Sequence, residues 1–167
     1  MKHLFFTALV MAILIGCGSG DGGSSKKDLK NITPDDWAGE VFSLYEKSIV
    51  KLDELIGTKP ALNDELKKKV ADLKNSIVDE LIPLGKARAA MSETDQKLCS
   101  AKLELKLERI TGNPAWGRAL NDARPFYSKT DNDFGILIGS FNIITQYAQL
   151  ELLKRQEPKE AARLGIQ

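Results

Sequence analysis

Apolar residues recur at intervals of three and four over most of this chain, which is the spacing of one face of an α-helix. The first such stripe comprises Trp37, Val41, Leu44, Ser48, Leu52 and Leu55. It follows Thr33 and Pro34, an N-cap residue and a first-turn proline that together indicate the start of a helix. Strand-type alternation is absent from every window of the sequence. The pattern therefore predicts an all-helical domain.

A second and a third helix are predicted further along the chain. The second begins near Asn63 and is kinked or broken near Pro83, because proline lacks a backbone N–H and clashes with the preceding turn. The third begins at Ser92, which with Asp95 resembles a capping box. Its apolar stripe comprises Cys99, Leu103, Leu107 and Ile110. The connections are short, so we expect helices that follow one another to pack antiparallel.

A fourth long helix is predicted from about Asp131 to Gln156. Its core face comprises Phe134, Leu137, Phe141, Ile144, Ala148 and Leu152. Between the third and fourth helices, Asn113-Pro114 begins a short additional helix that Arg124-Pro125 ends. The predicted fold is therefore all-α, an antiparallel four-helix bundle with a short extra helix between the third and fourth long helices.

The N-terminus has a different character from the rest of the chain. A basic start, Lys2-His3, precedes a largely apolar run from Leu4 to Ile15, and Leu14-Ile15-Gly16-Cys17 follows at its end. As a helix, this run of 12 residues would measure about 18 Å, which is short of a hydrocarbon core of roughly 30 Å. These features indicate a cleaved leader rather than a membrane span.

The leader resembles the signal peptide and lipobox of bacterial lipoproteins. The resemblance implies that a peptidase removes residues 1–16 and that the Cys17 sulfur carries a diacylglycerol. Two or more acyl chains such as palmitate give stable attachment to a membrane. Gly18, rather than an aspartate, follows the cysteine, and in these lipoproteins this implies the outer membrane. One expected partner is therefore the lipid bilayer, reached through acylated Cys17.

Residues 17–31 comprise the lipidated cysteine and a stretch dominated by Gly, Ser and charged residues. Such a composition is typical of a flexible tether, here with a reach of roughly 20 Å. The remaining residues, 32–167, suit one helical domain with its own core. We therefore expect a domain that is held close to the membrane surface.

The charge balance excludes one class of partner. Loss of Lys2 with the leader leaves 23 basic and 23 acidic side chains, because the whole chain has 24 Lys and Arg and 23 Asp and Glu. A nucleic-acid-binding protein needs a basic field, so we expect no nucleic acid partner. An envelope protein of unknown identity is the expected protein partner.

The distribution of histidine and methionine argues against catalysis and cofactors. The single histidine, His3, lies in the leader, which leaves no mature residue for Ser-His-Asp or Cys-His catalysis or for a di-iron site. Met91 is the one methionine of the mature chain, too few for haem ligation by methionine pairs. We therefore expect no catalytic residue, no cofactor and no metal site.

Two features leave self-association open. Cys99 has no intrachain partner if Cys17 is acylated, so it is either a buried small apolar residue or the site of an intermolecular disulfide. Gly135 and Gly139 form a small-residue stripe on the fourth helix, which allows close packing within the chain, self-association or a ligand groove. A homodimer through Cys99 or through the Gly135/Gly139 face is consistent with either feature.

The segment 112–130 is the strongest candidate for a binding function, because it is longer than a bundle connection needs to be. It contains residues of the types that dominate binding hot spots, namely Trp116, Arg118, Arg124, Phe126 and Tyr127. In the alternative interpretation, the Trp116 and Phe126 rings cover the open end of the bundle. Both interpretations are compatible if the rings lie inside and the Arg and Tyr tips lie outside.

The sequence thus predicts a membrane-tethered bacterial lipoprotein, a non-enzymatic accessory of the cell envelope that acts through protein–protein interaction. One alternative is a carrier or sensor of a small apolar ligand, with a bundle cavity opened by Gly135, Gly139 and the Pro83 kink. A second alternative is a cell-wall hydrolase that uses a lone carboxylate, which would need a buried acid with a raised pKa.

Overall fold

The computed structural model describes residues 29–166, with the backbone alone at Thr111. All regular structure within this range is helical. The predictions for the leader, for Cys17 and for the tether as far as residue 28 lie outside the described residues. None of the helices in the described range combines the length and the apolar character that crossing a membrane requires.

The first helix, α1, spans Pro34–Ile56 and begins where the sequence predicts. The Asp36 N–H donates to the Thr33 hydroxyl at 3.2 Å, which is the N-cap bond expected of threonine. A short 3₁₀ turn, Leu29–Asn31, precedes it. Trp37 and most of the α1 apolar stripe are completely buried, so this helix supplies one wall of the core over its whole length.

The second and third helices also begin at their predicted caps. Helix α2 spans Asp64–Ala89 and α3 spans Glu93–Leu107. The chain does not break at Pro83, because α2 continues through this residue. Pro83 is exposed, so the one backbone hydrogen bond that it removes is lost on the outer side of the helix. The Trp37 indole N–H donates to the Leu84 carbonyl at 2.9 Å and joins α1 to α2 just after the proline.

The chain between α3 and the C-terminal part is helical almost throughout. A 3₁₀ turn, Glu108–Gly112, leads into α4 (Pro114–Trp116), a π-helical turn (Gly117–Ala123) and α5 (Arg124–Ser128). The predicted end of the helix at Arg124-Pro125 is therefore wrong. Pro125 lies in the first turn of α5, where a missing N–H is tolerated, because the π turn ends there and the α-helical bonding begins anew.

The predicted fourth long helix is wrong as a single element. The chain forms α6 (Asn132–Gly139), a 3₁₀ segment (Ser140–Ala148) and α7 (Leu150–Gln156), followed by α8 (Pro158–Arg163). Every third residue from position 138 to position 153 is buried: Ile138, Phe141, Ile144, Tyr147, Leu150 and Leu153. This is the period of a 3₁₀-helix. Leu137 and Leu152, predicted core residues, are therefore only partly buried.

The helices enclose one continuous core. Helix α1 packs against α2, α3, α4 and the 3₁₀ segment Ser140–Ala148, and α2 packs against the same 3₁₀ segment. The buried residues of these elements form a single apolar cluster. The all-α class predicted from the sequence is confirmed, and the core lies between α1, α2, α3 and the segments that follow α3.

Candidate functional site

Two aromatic residues attach the predicted binding segment to the middle of α1 and to the loop that follows it. Tyr127 is 1% exposed, and its hydroxyl donates to the Pro60 carbonyl at 2.7 Å. Burial raises the pKa of the Tyr127 hydroxyl. The Trp116 indole N–H donates to the Tyr45 hydroxyl at 3.2 Å. Tyr127 and Trp116 therefore hold the segment in place and have little surface left for a partner.

Arg118 makes a two-pronged ion pair with α1. Its Nε donates to Asp53 Oδ1 at 2.9 Å, and its Nη2 donates to Asp53 Oδ2. The hydrogen bond to Asp53 is the main cause that raises the pKa of the Arg118 guanidinium. Asp53 is buried, whereas Arg118 is largely exposed. Arg118 therefore satisfies a buried carboxylate and leaves only its outer edge to solvent.

Phe126 has the opposite placement to Tyr127. Its ring is 48% exposed, and it contacts the Tyr127 ring edge-on with a centroid distance of 5.1 Å. Lys59 Nζ lies 5.9 Å from the Phe126 centroid, on the turn that follows α1. The expected arrangement, with the Phe126 ring inside and the Tyr127 tip outside, is reversed here. Phe126 therefore remains accessible, and Tyr127 does not.

The small-residue stripe of α6 is covered by α5 of the same chain. A Cβ atom on Gly135 would overlap the Ser128 hydroxyl, and one on Gly139 would lie 2.9 Å from the Arg124 guanidinium carbon. The close intrachain packing predicted at these glycines is thus confirmed. Gly135, Gly139 and Pro83 were the features expected to open an internal ligand cavity. The space beside the two glycines is occupied by Ser128 and Arg124, and Pro83 lies at the surface.

A groove opens beside Gly139, with a volume of about 370 Å³. We call it the Gly139 groove, and its walls include Lys74, Arg124, Ile136, Ile143, Gln146 and Glu157. Two large apolar side chains on its rim are exposed, Ile136 by 60% and Ile143 by 39%. Of the five predicted binding residues, Arg124 is the one that lines this groove. The groove therefore combines exposed apolar surface with charged side chains.

A hydrogen-bonded cluster contributes Tyr147 and Glu160 to the wall of the Gly139 groove. The Tyr147 hydroxyl donates to Glu160 Oε1 at 2.9 Å, and Arg163 donates to both oxygens of the same carboxylate at 2.7 and 2.8 Å. The Arg163 hydrogen bonds are the main cause that lowers the pKa of Glu160 to about 2. Burial, followed by the neighbouring Glu160, raises the pKa of Tyr147. Glu160 is thus ionised, and its negative charge is paired with Arg163.

Lys74 and Gln146 add polar groups that are not fully satisfied. Lys74 Nζ lies 5.9 Å from the Tyr147 ring centroid, and burial lowers the pKa of the Lys74 amine. Gln146 Nε2 donates to Gln156 at 2.6 Å. Its Oε1 atom is buried and accepts no hydrogen bond from any described residue. Because this oxygen has almost no accessible surface, it is not a contact atom for a molecule in the groove.

The sequence interpretation missed Lys74, Ile136, Ile143 and Gln146. Ile136 and Ile143 lie beside the predicted core face of a single α-helix, and the sequence has large apolar residues at both positions. The strict three-residue spacing from Ile138 to Leu153 is the sequence signal that could have indicated the 3₁₀ period. With that period, Ile143 falls outside the core and becomes part of a surface groove.

Cys99 lies in the core and not at the surface. It is completely buried, and its Sγ is 3.5 Å from Met91 Sδ. Burial is the main cause that raises the pKa of the Cys99 thiol. A disulfide to a second chain would require the local structure to open. Among the described residues, no three His, Cys, Asp or Glu side chains gather as metal ligands do.

Comparisons with protein-family models, with curated proteins and with solved structures found no match to this chain.

Proposed function

We propose that this protein is a membrane-tethered bacterial lipoprotein that binds a partner protein of the cell envelope through the Gly139 groove and has no enzymatic activity. The observation that carries the proposal is the pair of exposed isoleucines, Ile136 and Ile143, on the rim of a groove that also contains Arg124. Acylated Cys17 supplies the anchor, and the outer membrane, on its periplasmic or cell-surface side, is the proposed location.

The energetics of the rim favour a protein contact. Ile136 and Ile143 both lie in the segment 132–148 and expose much of their side chains to solvent. Covering a large aliphatic side chain contributes about 1.5–3 kcal/mol when it passes from full exposure to full burial. Arginine is also enriched in interfaces, where its planar guanidinium can bind a carboxylate. Two apolar contacts beside an arginine therefore provide the centre of a protein interface.

The predicted binding segment takes a narrower role in this proposal. Arg124 faces the groove, whereas Trp116 and Tyr127 hold the segment against α1. Arg118 and Phe126 lie near the C-terminal end of α1 and are exposed. We propose that these two residues form the edge of the same interface or a second contact. The four-helix arrangement remains a prediction, supported by the packing of α1 and α2 on the 3₁₀ segment.

The ionisation of the carboxyl groups supports a non-enzymatic function. A lone catalytic acid of a hydrolase needs a raised pKa, so that it carries a proton at neutral pH. The carboxyl groups of the described residues with a clear shift are Asp35, Glu65, Asp131 and Glu160, and the pKa of each is lowered. Each of these carboxylates pairs with a Lys or Arg side chain. They are therefore suited to ion pairing and not to proton donation.

Site-specific photo-crosslinking in intact cells tests the interface. A photoreactive amino acid replaces Ile143 in one variant and Leu105 in the control, because Leu105 is also a large apolar residue and is 60% exposed on α3. We expect a discrete adduct from position 143 that is lost when Ile136→Ser is added. Equal adducts from both positions, or none from position 143, would overturn the proposed interface.

The anchor is tested separately. Cells are fed an alkyne-tagged palmitate, and the protein is compared with its Cys17→Ser variant. We expect label in the wild-type chain, none in the variant, and release of the variant from the membrane fraction. An unlabelled wild-type chain would contradict the lipoprotein assignment and would leave the Gly139 groove unaffected.

A further inference from the structure

The Gly139 groove has unequal numbers of available positive and negative charges. Lys74, Arg124, Glu157 and Glu160 line it, and Arg163 lies behind Glu160. Arg163 pairs with Glu160, and Glu160 and Glu157 both interact electrostatically with Lys74, so Lys74, Arg124 and Arg163 face two carboxylates. Within the described part of the chain, neither Lys74 nor Arg124 has a carboxylate oxygen within ion-pair distance. The groove therefore has one positive charge in excess, and the exposed Arg124 is the cation most available to an anion.

The apolar and polar groups of the groove suit a short stretch of peptide. From Ile136 to Ile143 the chain rises by about 12 Å, with three α-helical steps and four 3₁₀ steps. About four residues of an extended chain cover the same distance. The exposed Arg124 guanidinium beside this apolar edge is matched by a peptide that carries a carboxylate.

From these features we infer that the occupant of the groove is an acidic, extended segment of the partner protein. The inference rests on the proposed function and names the chemistry of its partner. Apolar side chains of the segment lie against Ile136 and Ile143, and a carboxylate lies between Lys74 and Arg124. These side-chain contacts supply both the apolar and the charged part of the recognition.

A fatty acid is the alternative occupant with a similar combination of groups, since it also joins a carboxylate to an apolar chain. The groove is open along its side, whereas sites for apolar ligands usually enclose most of the ligand surface. This openness favours the peptide.

A selection from a displayed library of random dodecapeptides tests the inference on the full chain in detergent. Selections are run in parallel on the wild type, on Lys74→Gln/Arg124→Gln, and on Ile136→Ser/Ile143→Ser. Leu98→Ser/Leu105→Ser is the matched control, because both leucines are exposed on α3. A chosen peptide is then measured by fluorescence anisotropy against each variant and in competition with dodecanoate.

We expect the wild type and the α3 control to enrich peptides that combine Asp or Glu with apolar residues. Loss of the two cations should weaken such a peptide about tenfold, since two partly exposed ion pairs are removed. Peptides that require Ile136 and Ile143 but contain no acid would overturn this inference and leave the proposed function standing. Enrichment that ignores both isoleucines would overturn both. Displacement of the peptide by micromolar dodecanoate would identify a fatty acid as the occupant.

Discussion

Gly85 of α2 faces Leu150 so closely that a Cβ atom at position 85 would lie 2.7 Å from the Leu150 Cδ2 atom. The same atom would lie 2.8 Å from the Tyr147 carbonyl oxygen, which belongs to the backbone and cannot rotate away. The absence of a side chain at Gly85 therefore lets the 3₁₀ segment Ser140–Ala148 approach α2. This contact supports the three-residue period on which the Gly139 groove depends.

We predict that Gly85→Ala lowers the free energy of unfolding by about 1 kcal/mol. Overpacking costs about 1–3 kcal/mol, and the higher helix propensity of alanine offsets about 1 kcal/mol of it. The measurement is urea unfolding followed by circular dichroism. Gly39→Ala is the control, because Gly39 lies in α1 and no atom lies within 4 Å of its added Cβ. The control should gain about 0.5–1 kcal/mol, and an equal gain at Gly85 would refute the close approach.

Tyr127→Phe should destabilise the domain by about 1 kcal/mol, because it removes the hydrogen bond to the Pro60 carbonyl and leaves that acceptor with one partner fewer. The neighbouring substitution Phe126→Leu should change the unfolding free energy by less than about 0.5 kcal/mol, since Phe126 is exposed. Both are measured by chemical denaturation at pH 7. If the two substitutions have the same effect, Tyr127 does not anchor the segment.

Glu160 should make stability depend on pH between about 4.5 and 2. Its pKa is lowered from 4.5 to about 2, so the folded state favours the ionised carboxylate. The stabilisation is present above the unfolded pKa of 4.5 and is lost as the pH falls through the folded pKa. After allowance for solvent screening of this partly exposed group, the contribution is about 1–2 kcal/mol.

The measurement for Glu160 is thermal unfolding of the wild type and Glu160→Gln from pH 7 to pH 2. The difference in unfolding free energy should be largest above pH 5 and should shrink towards pH 2. Because the two proteins are compared at each pH, the contributions of other acids with lowered pKa values, such as Asp35 and Asp131, cancel in the difference. A difference that stays constant over this range would show that the Glu160 ion pair with Arg163 adds nothing.

Cys99 should react with iodoacetamide far more slowly in the native protein than in guanidinium chloride. The thiol is completely buried and its pKa is raised, so alkylation must wait for the structure to open. Peptide mass spectrometry measures the labelled fraction at Cys99 over time at pH 7.5. Native labelling as fast as denatured labelling, or a disulfide-linked dimer through Cys99, would contradict the buried position.

The helix starts were predictable because each depends on neighbouring residues alone. Thr33, Asn63, Ser92 and Asp131 each accept a hydrogen bond from a backbone N–H three residues later. A capping bond of this kind needs no contact with the rest of the fold. The same local reasoning failed at Pro125, and at Pro83 it left open a break that the helix does not have. There the outcome depends on whether the lost hydrogen bond lies at the surface or at a change of helix type.

The candidate site was predictable only in part. Arg124 came from composition, because arginine in a long connecting segment suggests a contact residue. Ile143 and Gln146 could not be assigned from an α-helical period, because the chain changes from 3.6 to 3.0 residues per turn at Ser140. Each 3₁₀ turn therefore rotates the following side chains away from the directions that an α-helix would give them. This accumulated rotation places Ile143 and Gln146 at the groove. Ile136 precedes the change of winding, in α6, and its exposure depends on which neighbours cover α6.

The sequence by itself determined the all-α class, the positions of the caps and the burial of most of the α1 stripe, since these follow from hydrogen bonds and periodicity within one segment. Only the tertiary structure decided the winding of residues 140–148. A 3₁₀-helix has poorer hydrogen-bond geometry than an α-helix, so it needs support from tertiary contacts. The close packing of Tyr147 and Leu150 on Gly85 is such a contact, and it joins residues more than 60 positions apart. The three-residue spacing of the apolar residues indicates this winding, but the contact with α2 favours it over an α-helix.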